Sequence, residues 1–66
     1  MTQADITIEG RECLIQRHER HGVQHATVFL KKHKRDGGGL TLLATDENEQ
    51  RAIRAARRRL LMGALP

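Results

Sequence analysis

The chain has 66 residues, a formal net charge of +4, one cysteine, one phenylalanine and neither tryptophan nor tyrosine. A length of that order holds one small domain, residues 1–66, which hides only about 60% of its unfolded surface. The lone Cys13 excludes an internal disulfide, and no apolar run approaches the ~20 residues that span a bilayer. The N-terminus, MTQADITIEG, has neither a basic start nor an apolar stretch. A soluble, cytoplasmic protein with no membrane partner is expected. Its core must be aliphatic.

Taken in order, Asp5–Glu9 alternates polar and apolar residues, the period of a half-buried strand. Gly10-Arg11 suits a two-residue hairpin loop with glycine first. That register sets Ile8 against Cys13 and Ile6 against Ile15, all on one face. It also sets Glu9 against Glu12, which a four-residue loop Glu9–Glu12 relieves with the same parity. A second strand follows over about Glu12–His18. Glu19-Arg20-His21-Gly22 reads as a four-residue turn, and Val23–Lys31 as a third strand, with Ala26 opposite Ile15 and Val28 opposite Cys13. Ala26, Val28 and Leu30 join the buried face. The other face takes Thr7, Leu14, Gln16, His18, His25, Thr27, Phe29 and Lys31.

Lys31–Gly39, KKHKRDGGG, is a basic loop with a turn signal at Asp36-Gly37 and a mobile glycine tip. Leu40–Ala44 is a short fourth strand, with Leu40, Leu42 and Ala44 of one parity. Asp46–Leu61 is the strongest helix. Ala52, Ile53, Ala56 and Leu60 form its apolar stripe, Arg51, Arg54 and Arg58 its opposite side, and Arg57 and Arg59 flank the stripe. Thr45 or Asp46 is the expected cap, and Gly63 the stop. The expected fold is α+β: an antiparallel meander of four strands, or three if the short fourth run does not pair, with one C-terminal helix on one face. Residues 1–4 and 63–66 are expected to fray.

Five arginines within nine residues exceed what the helix dipole rewards, and Arg54 repels Arg58. Arg51, Arg54 and Arg58 are therefore candidates for contact with phosphates or an acidic protein surface. Lys31, Lys32, Lys34 and Arg35 form a second basic group, a flexible finger. Leu14, His25, Thr27 and Phe29 mark the other sheet face as a partner-contact surface or a homodimer interface. No metal site is expected: His18-x2-His21-x3-His25 has plausible spacing, but Cys13 falls on the buried face and His18 and His25 on the other, and no second cysteine is present. No cofactor or catalytic residue is assigned. The GGG run lacks the Lys-Ser/Thr of a phosphate loop, and a buried cysteine is a poor nucleophile.

The stretch LTLLATDENEQRAIRAARRRLL, following a basic hairpin, resembles the last strand and helix of the arm-type DNA-binding domains of tyrosine recombinases, over about residues 12–61. That resemblance implies a sheet packed by a C-terminal helix and inserted into the major groove. The aromatics of that family's strands are missing here, and no recombinase is expected to follow. RAIRAARRRLL is similar to the end of double-stranded-RNA-binding domains, although the first helix is absent and Asp46, Glu47 and Glu49 stand where that family has lysines. The short basic format is similar to accessory proteins of phages and mobile elements, anti-CRISPR inhibitors among them. The expected function is non-enzymatic binding. A nucleic-acid-binding regulator, with DNA or RNA as partner, leads. The alternative is a protein-binding inhibitor or adaptor of phage type, directed at host machinery that handles nucleic acids.

Overall fold

A computed structural model of the chain describes residues 2–63. Strands β1 (Thr2–Ile8), β2 (Arg11–Arg20), β3 (Val23–Lys31) and β4 (Leu40–Asp46) form one antiparallel sheet in the order β1-β2-β3-β4. Helix α1 (Glu49–Met62) follows. This is the expected ββββα arrangement, and the fourth run does pair. β1 begins at Thr2, opposite Arg17, so residues 2–4 belong to a strand. Met1 and residues 64–66, expected to fray, lie outside the described residues.

Both hairpin loops differ from expectation in the same way. The turns are Glu9-Gly10 and His21-Gly22, not Gly10-Arg11 or the four residues Glu19–Gly22. Glu9, Gly10, His21 and Gly22 have φ of 50, 72, 53 and 76°. Positive φ at both central residues is the type I′ turn, whose twist matches that of the strands it joins. Each register consequently shifts by two residues: Ile6 faces Cys13, Ile15 faces Val28, and Cys13 faces Leu30. A shift of two keeps every side chain on its own face. It also removes the Glu9–Glu12 clash, because Glu12 now faces Thr7.

The fourth strand breaks the expected parity. Its register slips between Val28 and Phe29, so that Val28 faces Ala44 and Phe29 faces Leu42. Leu43 is the extra residue, a β-bulge. A bulge can send two successive side chains to one side. Leu43 is 2% exposed in the core and Ala44 packs against that core, whereas Leu40 and Leu42 are 48% and 53% exposed. Leu40 and Leu42 share a side as expected, but the bulge moves Ala44 to the opposite side, with Leu43.

Helix α1 packs over β3 and β4. Ala52 and Ala56 are fully buried, with half-buried Ile53 and Leu60 beside them. Two alanines at the centre of the stripe let the helix approach the sheet closely. Below them lie Ile8, Cys13, Ile15, Ala26, Val28, Leu30 and Leu43. The helix starts later than expected, because Asn48 is the cap. Its Oδ1 accepts from the Arg51 N–H at 3.2 Å. Asp46 acts one step earlier, its Oδ1 accepting from the Asn48 N–H at 2.8 Å. Asn48→Ala is expected to cost ~1 kcal/mol in a denaturant melt, the usual loss of an N-cap. Gly63 ends the helix as expected, in the left-handed region at φ 60°.

Candidate functional site

The meander determines which charges meet. The β1–β2 turn, the 32–39 loop and the C-terminal turn of α1 all lie at one end of the sheet. An open cleft there is lined by Gly10, Arg11, Lys32, His33, Leu60 and Gly63, among others. Lys32 and His33 of the basic loop thereby share this cleft with Leu60 and Gly63 at the C-terminal end of the arginine helix. The opposite end holds the β2–β3 turn and the helix start, with Asp46, Glu47 and Glu49.

The loop is not the mobile finger expected. Lys34–Asp36 is a short 3₁₀ turn. The Gly37 N–H donates to Lys34 O at 3.1 Å, Gly38 N–H to His33 O at 3.0 Å, and Lys32 N–H to Gly39 O at 3.0 Å. Gly37, Gly38 and Gly39 occupy successive positive-φ positions at 92, 69 and 83°. Side chains rarely adopt these, so the glycine run serves a defined backbone path. Lys32, Lys34 and Arg35 are exposed on it. Lys31 is not part of this group. It ends β3 on the open sheet face, and its Nζ donates to Asp5 Oδ1 at 2.5 Å.

On α1, Arg51, Arg54 and Arg58 are exposed and have no carboxylate partner among the described residues. Arg57 does have one: its Nε donates to Glu9 Oε1 at 2.5 Å, tying the helix to the first turn. At the other helix end, Arg17 donates to Glu49. That hydrogen bond holds the Glu49 carboxyl below its ordinary value of 4.5. A lowered folded pKa stabilises above the unfolded value, and the contribution disappears as pH falls through the folded one. Acid titration of parent and Glu49→Gln is expected to show the parent's small advantage vanishing below about pH 4, where the unfolded carboxylate titrates. Equal behaviour at neutral pH would show that the pair contributes nothing, as many exposed pairs do.

No described element covers the other sheet face. Reading across the strands, one row runs Asp5, Leu14, Phe29, Leu42 and the next runs Thr7, Glu12, Lys31, Leu40. Leu14 and Phe29 are half-buried, as neighbours in a sheet shade one another. Leu40 and Leu42 extend the apolar surface, and the sequence reading, which gave them a shared parity, assigned them to neither face. Two of the expected contact residues are already engaged. Thr27 is 8% exposed, with its hydroxyl 3.0 Å from His18 Nε2 and 3.1 Å from Thr45 Oγ1. His25 stacks on His18 with ring centroids 5.6 Å apart.

Cys13 is fully buried, and burial pushes its thiol above the ordinary value. That is the environment of an inert structural cysteine. Among the described residues no group of three or more His, Cys, Asp and Glu is placed to hold a metal ion. No helix among the described residues is long and apolar enough to cross a membrane. No protein-family model matches the chain, and no curated protein or solved structure matches it either.

Proposed function

We propose that the protein binds nucleic acid without catalysis, gripping the phosphate backbone with the outer face of α1 and the 32–39 loop. One observation carries this reading. Arg51, Arg54 and Arg58 lie exposed on one helix face with no carboxylate partner among the described residues, while Arg17, Lys31 and Arg57 each have one. Like charges at i,i+4 cost a helix roughly 0.2–0.5 kcal/mol per pair. A polyanion removes that repulsion and gains by releasing its counterions. Exposed Lys32, in the loop that also carries exposed Lys34 and Arg35, lines the cleft at the C-terminal end of the same helix. Phe29, the one aromatic residue, lies on the opposite face of the sheet, so base stacking has no support on this surface. The expected ligand is a duplex recognised by its backbone.

Duplex DNA and duplex RNA titrated by fluorescence anisotropy at two or more salt concentrations test it. With six phosphate contacts, affinity is expected to fall by about three orders of magnitude between 50 and 200 mM salt. Absence of binding at low salt overturns the proposal.

A second reading has its own observation. Leu14, Phe29 and Leu42 form one apolar row on the uncovered sheet face, beside exposed Leu40. This supports a protein-binding inhibitor or adaptor of the phage accessory type. In that case Phe29→Ala weakens function more than loss of the arginines, because buried aromatic anchors dominate interface energy.

A further inference from the structure

The sheet has two free edges, and they are not alike. β4 carries the bulge at Leu43, which interrupts its ladder and disfavours pairing with another strand. β1 pairs regularly with β2 over seven residues and has no bulge, proline or lysine. Its one charge, Asp5, is bound by Lys31 of the same chain. No described strand pairs with its outer side. The two-residue turn Glu9-Gly10 makes Ile8 and Arg11 the first doubly bonded pair of the hairpin. By alternation, Ile6, Ala4 and Thr2 also bond to β2. The N–H and C=O groups of Gln3, Asp5 and Thr7 therefore point away from the sheet, unpaired. On the helix side of the same strand, Ala4 is exposed and Ile6 half-buried, because α1 lies over β3 and β4.

We propose that β1 pairs antiparallel with β1 of a second copy of this chain, making one continuous eight-stranded sheet. A register centred on Ile6 fits both chemistry and hydrogen bonding. It sets Ile6 against Ile6 of the second copy, and Ala4 against Ile8 of the second copy, on the helix side. It sets Asp5 against Thr7 of the second copy, so the outward peptide groups bond and the two aspartates do not face each other. Ala4 and Ile6, which α1 leaves uncovered, are then shielded by the second copy.

A two-fold axis normal to the sheet keeps both α1 helices on one side. Six strand spacings of about 4.8 Å set their axes ~29 Å apart. One turn of duplex DNA is ~34 Å, the spacing at which paired elements meet successive grooves on one side. This second step rests on the nucleic-acid reading: the dimer presents two arginine faces to a single duplex about one turn apart. The interface itself does not depend on it.

Three measurements test the proposal. Sedimentation of the parent is expected to show a dimer at concentrations that saturate a duplex, and a monomer there overturns it. In the parent, amide hydrogen exchange is expected to show Asp5 and Thr7 protected. A dimer in which both exchange freely has another interface and also overturns it, whether or not any variant folds. Thr7→Pro removes an outward N–H and no bond to β2, so the variant is expected to stay folded and become monomeric. A folded Thr7→Pro dimer rules the interface out. The monomeric variant is expected to bind a duplex of two turns about 100-fold more weakly, from lost bivalency. Unchanged affinity overturns the paired-helix arrangement. A protected dimer that binds no nucleic acid leaves the interface standing and removes the nucleic-acid reading instead.

Discussion

Leu43→Ala is expected to lower the folding free energy by about 3 kcal/mol, and Leu42→Ala by less than ~0.5 kcal/mol. The two leucines are adjacent in the same strand, and the bulge separates their fates. Leu43 is 2% exposed beneath α1, and truncating it leaves a cavity between Val28, Ala52 and their neighbours that a packed core cannot close. Leu42 lies beyond the slip in register, opposite Phe29 on the uncovered face, and is 53% exposed. A domain of this length has a total stability of roughly 3–10 kcal/mol. Leu43→Ala thus removes about a third of it or more. Paired urea melts at constant m-value provide the check. Equal losses for the two variants would place the bulge elsewhere, and the reverse order would restore the simple alternation Leu40–Leu42–Ala44.

Replacing Arg51, Arg54 and Arg58 together with glutamine is expected to leave the fold intact and remove most of the affinity for a duplex. All three side chains are exposed, and the stripe that packs α1 is Ala52, Ile53, Ala56 and Leu60. Removing Arg54 and Arg58 also relieves their mutual repulsion, so the melting temperature is expected to hold or rise slightly. Each phosphate contact contributes about 0.9 to the slope of log affinity against log salt. The triple variant is therefore expected to flatten that slope by nearly three units. Arg57→Gln serves as the comparison, because Arg57 is already paired with Glu9. It is expected to have the smaller effect on binding. A triple variant that folds and binds like the parent would move the site off the helix. If Phe29→Ala then abolished function, the apolar sheet face would be the interface.

Local periodicity was enough to give the element types and most of the core. Alternation in Asp5–Glu9 and Val23–Lys31, and the spacing of Ala52, Ile53, Ala56 and Leu60, each encode one buried face. The faces survived even where the registers did not. A turn displaced by one residue shifts the pairing by two, and side-chain parity is blind to that. The type I′ turns were hard to read because Glu9 is unusual at positive φ, and His21, though it tolerates that region better, is not the Asn or Asp that signals such a turn. The bulge was out of reach for a different reason. Leu42 and Leu43 are the same residue, and only the volume beneath α1 decides which of them is buried. The candidate site divides in the same way. Exposure of Arg51, Arg54 and Arg58 follows from helical period alone, a property of the local chain. That Lys32 shares a cleft with the C-terminal end of that helix, while Lys31 turns to Asp5 on the other face, follows from where the meander brings its ends together. Contacts between residues far apart in the chain make that decision, and no stretch of sequence contains them.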